Sequence, residues 1–214
     1  MVKKKILIVE GNTREENSEF TAVGINTHTE SLIESINFYE KDLDISIANP
    51  SSDNNLKNSI ESLDKYDGMI WGGSSLNIYN DTDEIRRQIS FMRECQLKIK
   101  KIFAICWGLQ VAVTVAGGQV KKSDKGAHRG IAHNIKVNNI GSNHKIYLDK
   151  KRQFNSPAFN FDEVVKIPEG AILLSSNELN NVMGLNFKTN TSDIWGIKYH
   201  PEITYEKMVS LIHF

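Results

Sequence analysis

Two short segments carry residue types that could do covalent chemistry together. The first is Ile102-Phe103-Ala104-Ile105-Cys106-Trp107-Gly108-Leu109-Gln110. An apolar run feeds a cysteine and then an apolar, helix-like stretch, which is the strand–turn–helix setting of a nucleophile elbow. Such a turn is sharp and needs small residues two places either side of the nucleophile; Ala104 and Gly108 stand there. A thiol so placed points out of the carboxyl edge of a sheet, beside a helix N-terminus that favours the thiolate. The backbone N–H of Trp107 then faces the place where an oxyanion forms. Cys95, the second of two cysteines, lies in a helical pattern beside charged residues and reads as a small packed hydrophobe.

The second segment is Trp195-Gly196-Ile197-Lys198-Tyr199-His200-Pro201-Glu202. An alternating strand delivers His200 at its end, and Pro201 biases it toward extended geometry. Residues two apart in an extended chain point the same way, so Glu202 can fix the imidazole tautomer of His200. That is a base with its orienting carboxylate. A third segment, Ile70-Trp71-Gly72-Gly73-Ser74-Ser75, ends an apolar run in two glycines. Glycines let backbone N–H groups turn toward a ligand, and Gly73 is a second oxyanion donor candidate. The other histidines, His28, His128, His133, His144 and His213, show no such setting and no metal-ligand spacing with the cysteines, so no metal is expected.

The elements that must hold these residues alternate. Lys5 to Val9, Asp44 to Ala48, Met69 to Trp71 and Lys101 to Ile105 read as strands. Helices are expected from Thr29 onward, around Leu56, Ile60 and Leu63, after a cap at Asp81 or Thr82, and from Trp107 to Ala116. Gly11 to about Thr27 reads as a long polar loop. The second half is more strand-like, with Ile135 to Val137, Lys145 to Leu148, Ala171 to Ser175, Val182 to Phe187 and Ile194 to Tyr199, and a closing helix from about Tyr205. The pattern predicts an α/β fold with a doubly wound, mostly parallel central sheet, flanking helices and a β-rich second half, all in one domain spanning 1–214.

Composition narrows the function classes. Lys+Arg and Asp+Glu each number 26 in 214 residues, so the basic surplus typical of nucleic-acid binders is absent. No basic amphipathic face marks a membrane surface protein, and no apolar run nears the roughly 20 residues of a membrane span. Two cysteines are too few for a disulfide framework and fit a reducing cytoplasm.

Taken together, Gly72-Gly73-Ser74, Ala104 to Gln110, Ala116-Gly117-Gly118 and Tyr199-His200-Pro201-Glu202 resemble the class I, triad-type glutamine amidotransferases. The resemblance is closest to the glutaminase domain of GMP synthase and its free-standing relatives, and it covers roughly residues 3 to 210. It implies a flavodoxin-like fold and hydrolysis of glutamine to glutamate and ammonia through a γ-glutamyl thioester, without a cofactor. By that resemblance Cys106 is the nucleophile, His200 the base and acid, and Glu202 the orienting partner. Gly73 and Trp107 are then the oxyanion donors, and Gln110, Gly72 and Ser74 line the substrate site.

Two positions depart from the family pattern. Ala104 replaces the first glycine of the elbow. In Phe159-Asn160-Phe161-Asp162-Glu163-Val164, Asn160 takes the place of a histidine at the mouth of the glutamine site. No Gly-rich ATP-pyrophosphatase loop is present, so either ammonia is expected to go to a separate partner, such as a synthetase subunit, or the chain is a stand-alone hydrolase. Three other readings stay open. One is a γ-glutamyl hydrolase or peptidase on the same triad, and another is a regulatory subunit that keeps the fold. The third is a flavodoxin-like carrier, suggested by Glu10-Gly11-Asn12-Thr13.

Overall fold

The computed structural model describes residues 3–53 and 56–214. A nine-stranded sheet forms its centre, and its order follows from where the apolar runs fall. Strands β1 (Lys4–Val9), β2 (Leu43–Ala48), β3 (Gly68–Trp71), β4 (Lys101–Ile105) and β11 (Asp193–Ile197) lie parallel in the order β2-β1-β3-β4-β11. The sheet then continues antiparallel through β10 (Gly184–Lys188), β9 (Ile172–Ser176), β6 (His128–Val137) and β7 (Gln153–Asn160). A separate two-stranded ribbon pairs β5 (Gln119–Lys122) with β8 (Asp162–Lys166).

Alternation along each parallel strand sends side chains to two cores. Leu7, Val9, Met69, Trp71, Ile102 and Ala104 face α4 (Asp83–Lys98) and α5 (Trp107–Val115). Ile6, Ile8, Ile70, Phe103 and Ile105 face the other way, toward Leu32, Ile33 and Ile36 of α2 (His28–Tyr39). Helices on both faces leave only the strand ends open. Register aligns those ends: Val9 pairs with Ala48 and Trp71, Trp71 with Ala104, and Ile105 with Ile197. Gly72, Cys106 and Lys198 therefore leave the sheet at one carboxyl edge, where open α/β sheets place their ligands.

Several expectations need correcting. The polar stretch after β1 contains a helix, α1 (Arg14–Ala22), started by a capping box in which Thr13 and Glu16 bond each other's backbone N–H. None of its residues is fully buried, so it shows no apolar stripe. Lys145–Tyr147 is a 3-10 turn rather than a strand, because His144 Nδ1 accepts from Ile146 N at 3.3 Å and buried Tyr147 anchors on Ser175 Oγ at 2.6 Å. Strand β7 is absent from the sequence reading because Pro157 interrupts it, yet an edge strand tolerates a residue without an N–H. Of the two candidate caps before α4, Thr82 is the one used. The helix expected around Leu56, Ile60 and Leu63 is α3 (Lys57–Glu61) followed by a 3-10 turn, and the closing helix is α6 (Tyr205–His213).

Candidate active site

Cys106 joins β4 to α5 with φ 50° and ψ −96°, a backbone conformation in which non-glycine residues are strained. The surroundings hold it there. Its N–H donates to Ile197 O at 2.7 Å, tying the elbow to β11, and Gly108 N donates to Gly72 O at 3.2 Å. A Cβ on Gly108 would sit 2.6 Å from Trp71 O, so the close crossing admits only glycine. The Ala104 methyl is buried without difficulty between Trp71 and Gly196, its neighbours in register.

Cys106 is 2% exposed; its thiol lies 3.8 Å from Phe159 O, and it borders the same cavity as His200. His200 is fixed from two sides: its N–H donates to Pro157 O at 2.8 Å, and its Nδ1 meets Glu202 Oε1 at 2.7 Å. With Nδ1 committed, Nε2 is the ring nitrogen left for the thiol. Burial pushes the Cys106 thiol up, but the charge and hydrogen bond of His200, with Lys198 behind them, overcome this and hold it below an ordinary thiol. Burial alone would depress His200; Glu202 and Cys106 reverse that and raise it to about 10. Each shift favours the charged form of its group. Cys95 lies on the buried face of α4, where burial pushes its thiol far above the ordinary range. Iodoacetamide at neutral pH should therefore label Cys106 and spare Cys95 in peptide maps of the native protein; labelling of Cys95 first would contradict the electrostatics.

Above the thiol lies a cavity of about 310 Å³, bordered by Cys106, His200, Ser74, Gln110 and Asn160. Gly73 packs so closely under His200 that a Cβ would lie 2.7 Å from its Cε1. Gly72 N donates to Val9 O at 3.2 Å, continuing the β1–β3 ladder, and Gly72 O accepts from Gly108 N, so the glycines follow β3 beside the elbow. The Trp107 N–H is one of the first-turn donors of α5 that have no partner one turn back. Its indole is anchored away from the site, donating to Gln88 Oε1 at 2.7 Å, while Gln88 Nε2 donates to Gly11 O at 2.9 Å.

One wall of the cavity is a polar network that the sequence did not reveal. Lys198 is fully buried. In the orientation that satisfies its neighbours, Gln110 accepts from Lys198 Nζ at 2.9 Å and donates to Asp162 Oδ2 at 3.2 Å. Tyr79 Oη donates to Asp162 Oδ1 at 3.1 Å. Burial lowers Lys198, opposed by the negative charges of Cys106, Asp162 and Glu163. The available signal was a charged residue inside the apolar strand that leads to His200. Asn160 borders the cavity, but its polar atoms turn inward. It donates to Lys198 O at 3.0 Å and accepts from Asn180 at 3.2 Å, with His128 Nδ1 at 3.0 Å from its oxygen.

The second residue missed is His28, at the start of α2. Its ring stacks on His200 with centroids 5.5 Å apart and planes 21° from parallel. Ligand atoms of His28, His200 and Glu202 lie within 4.8 Å of one another. Stacked rings carry their in-plane lone pairs side by side rather than toward one point, and Glu202 is already bonded to His200, so the cluster is poorly shaped for a metal ion. The Glu10-Gly11-Asn12-Thr13 turn is likewise filled from within: Asn12 N donates to Glu10 Oε1 at 2.9 Å and Asn12 Oδ1 accepts from Ser75 N at 3.2 Å. A carboxylate stands where a phosphate-binding turn needs free donors.

A family model described as glutamine amidotransferase class-I matches residues 25–212. The chain belongs to the class I glutamine amidotransferase family. It is 30% identical over 210 residues to a γ-glutamyl-L-1-hydroxyisopropylamide hydrolase from a Pseudomonas species, covering 95% of this chain and 69% of that protein. It is 27% identical over 147 residues to a glutamine-hydrolysing GMP synthase subunit from Sulfolobus acidocaldarius, covering 69% of this chain and 73% of that one. Among solved structures, a glutamine amidotransferase from Thermotoga maritima superposes with a TM-score of 0.73 at 16% identity, over 100% of this chain and 82% of the other. That likeness supports the α/β architecture with its central sheet. Among the described residues no helix is long and apolar enough to cross a membrane.

Proposed function

We propose that the protein is a hydrolase of the γ-glutamyl amide bond that works through a covalent thioester on Cys106. The observation that carries the reading is the buried Cys106–His200–Glu202 arrangement on a strained elbow at the sheet's carboxyl edge. The thiolate attacks the γ-carbonyl carbon, and the N–H groups of Gly73 and Trp107 receive the developing oxyanion. The C–N bond breaks as the His200 imidazolium gives its proton to the departing nitrogen. Water then attacks the thioester, His200 takes its proton, and glutamate leaves with the thiolate restored. Glu202 holds the imidazole in the tautomer both steps need. Gly72, Ser74, Asn160 and the Gln110–Lys198–Asp162 network shape the pocket for the glutamyl part.

Glutamine is the simplest substrate of this kind. In that case the ammonia passes to a separate synthetase subunit; the name of the Sulfolobus relative suggests such a partner. The name of the Pseudomonas relative supports the second reading, hydrolysis of a γ-glutamyl amine. A nucleophilic free thiol suits a reducing compartment such as the cytoplasm.

The test is acid-quenched mass spectrometry with glutamine and with γ-glutamyl amides, looking for an acyl adduct on Cys106, together with a pH profile. Above the lowered Cys106 pKa and below about 10 the ion pair is present. Activity should fall as pH rises through about 10, because the imidazolium loses the proton that the departing nitrogen requires. Glu202→Gln removes the largest influence raising His200 and should move that alkaline limb to lower pH. An alkaline limb that stays in place would remove Glu202 from the site.

A further inference from the structure

A row of four rings runs from the rim of the cavity to the reacting pair. Phe214 meets Phe20 edge-on at 5.0 Å, Phe20 meets His28 edge-on at 6.0 Å, and His28 stacks on His200 at 5.5 Å. All four border the same cavity as Cys106, joined by Phe161 and Leu211. Phe161 and Phe214 remain 48% and 56% exposed, apolar surface that no described element covers. Polar residues line the same cavity, among them Ser74, Gln110 and Asp162. The lining thus has a ring-bearing part and a polar part, and Cys106 and His200 belong to it as well.

We infer that the ring-lined wall is a leaving-group subsite, and that the preferred substrate is a γ-glutamyl amide whose nitrogen carries an apolar, preferably aromatic, substituent. The inference rests on the thioester mechanism above and names the substrate class for it. The departing nitrogen takes its proton from His200, so it lies against that imidazole when the C–N bond breaks. A substituent on this nitrogen extends along whatever is stacked on the imidazole, which is His28, then Phe20 and Phe214. Ammonia from free glutamine would leave that wall uncovered, whereas an aryl or alkyl amine removes it from water.

His28 fits the role chemically. Its Nδ1 is buried and without a hydrogen-bond partner among the described residues. Burial, and then the neighbouring His200 and Lys207 charges, keep its ring neutral. A neutral ring offers an apolar face against which a substituent packs without displacing a charge. The balanced reaction is γ-glutamyl–NH–R plus water giving glutamate and H₂N–R. The Cys106 S–C bond forms and breaks along the way, and no other reactant is consumed.

The experiment compares L-glutamine, γ-glutamyl-methylamide and γ-glutamyl-benzylamide on the purified protein. The benzylamide should exceed glutamine in kcat/KM by about tenfold or more, with the methylamide between them. Phe20→Ala and Phe214→Ala should each lower the benzylamide value about tenfold further than the glutamine value, and Phe20→Leu should restore most of the difference. Because the readout is a ratio of two substrates on one preparation, a variant that is partly unfolded does not mimic it. Calorimetric binding to Cys106→Ala gives a second measure, with the benzylamide tighter than glutamine in that variant and not when Phe20→Ala is added. Equal kcat/KM for the three substrates, or equal losses on all of them in the variants, overturns the subsite. Absence of Cys106-dependent hydrolysis with the benzylamide preference in binding intact overturns the thioester mechanism and leaves the subsite standing.

Discussion

Cys106→Ala should cost turnover about 10⁴-fold or more, His200→Ala about as much, and Glu202→Gln roughly 10- to 100-fold less than either. The order follows from what each side chain does. Without the sulfur no thioester forms, and nothing else in the cavity replaces it. Without the imidazole the thiol loses the hydrogen bond and charge that hold its pKa down, and the departing nitrogen loses its proton donor. Glutamine at 202 keeps an oxygen that can accept from His200 Nδ1 at the present 2.7 Å distance, so tautomer and orientation survive while the charge is lost. Single-turnover measurements on the three variants, with circular dichroism to show that each is folded, check this. A Glu202→Gln variant as inactive as Cys106→Ala would mean that the carboxylate does more than orient.

Gly73→Ala should reduce kcat by about 10²- to 10³-fold while leaving KM and the melting temperature little changed. The position is not in the left-handed region, so the backbone accepts alanine. The obstacle is the new methyl, 2.7 Å from His200 Cε1 and 3.3 Å from His28 Cε1. Either the imidazole turns off the thiol or the loop retreats and withdraws its N–H from the oxyanion position. Both act on the transition state more than on binding. The contrast with Gly108 is useful, since there a methyl would strike the Trp71 backbone oxygen at 2.6 Å and the fold itself would give. A Gly73→Ala enzyme with normal kcat would show that this loop does not touch the reaction.

Much of the site could be read from the chain because its members are local. An elbow needs only β4, one turn and α5, and His200 and Glu202 are two residues apart, so spacing alone brings them together. The parallel strands were legible for a similar reason: burial on both faces writes them as short apolar runs. What stayed hidden depends on depth or on distant packing. Lys198 is one charge in a strand-like segment, and only burial beneath Gln110 makes it part of the pocket. His28 comes to His200 across more than 170 residues of chain, by way of a helix start that carries no catalytic pattern. Helix α1 was missed because none of its residues is fully buried, although Thr13 and Glu16 did announce its start. Asn160 read as a contact at the mouth of the site, yet its hydrogen bonds run to Lys198, Asn180 and the His128 ring behind it.

The φ of 50° at Cys106 sets stability and activity against each other within one residue. Strain of this kind amounts to about 1–3 kcal/mol, drawn from a net folding free energy of roughly 5–15 kcal/mol. Glycine would relieve it and abolish the chemistry in the same substitution. A lineage under pressure only to stay folded would drift toward that relaxed, silent form. On the mechanism proposed above, the strained turn is what holds the thiol toward the cavity, so the lost stability and the aim of the nucleophile have one origin.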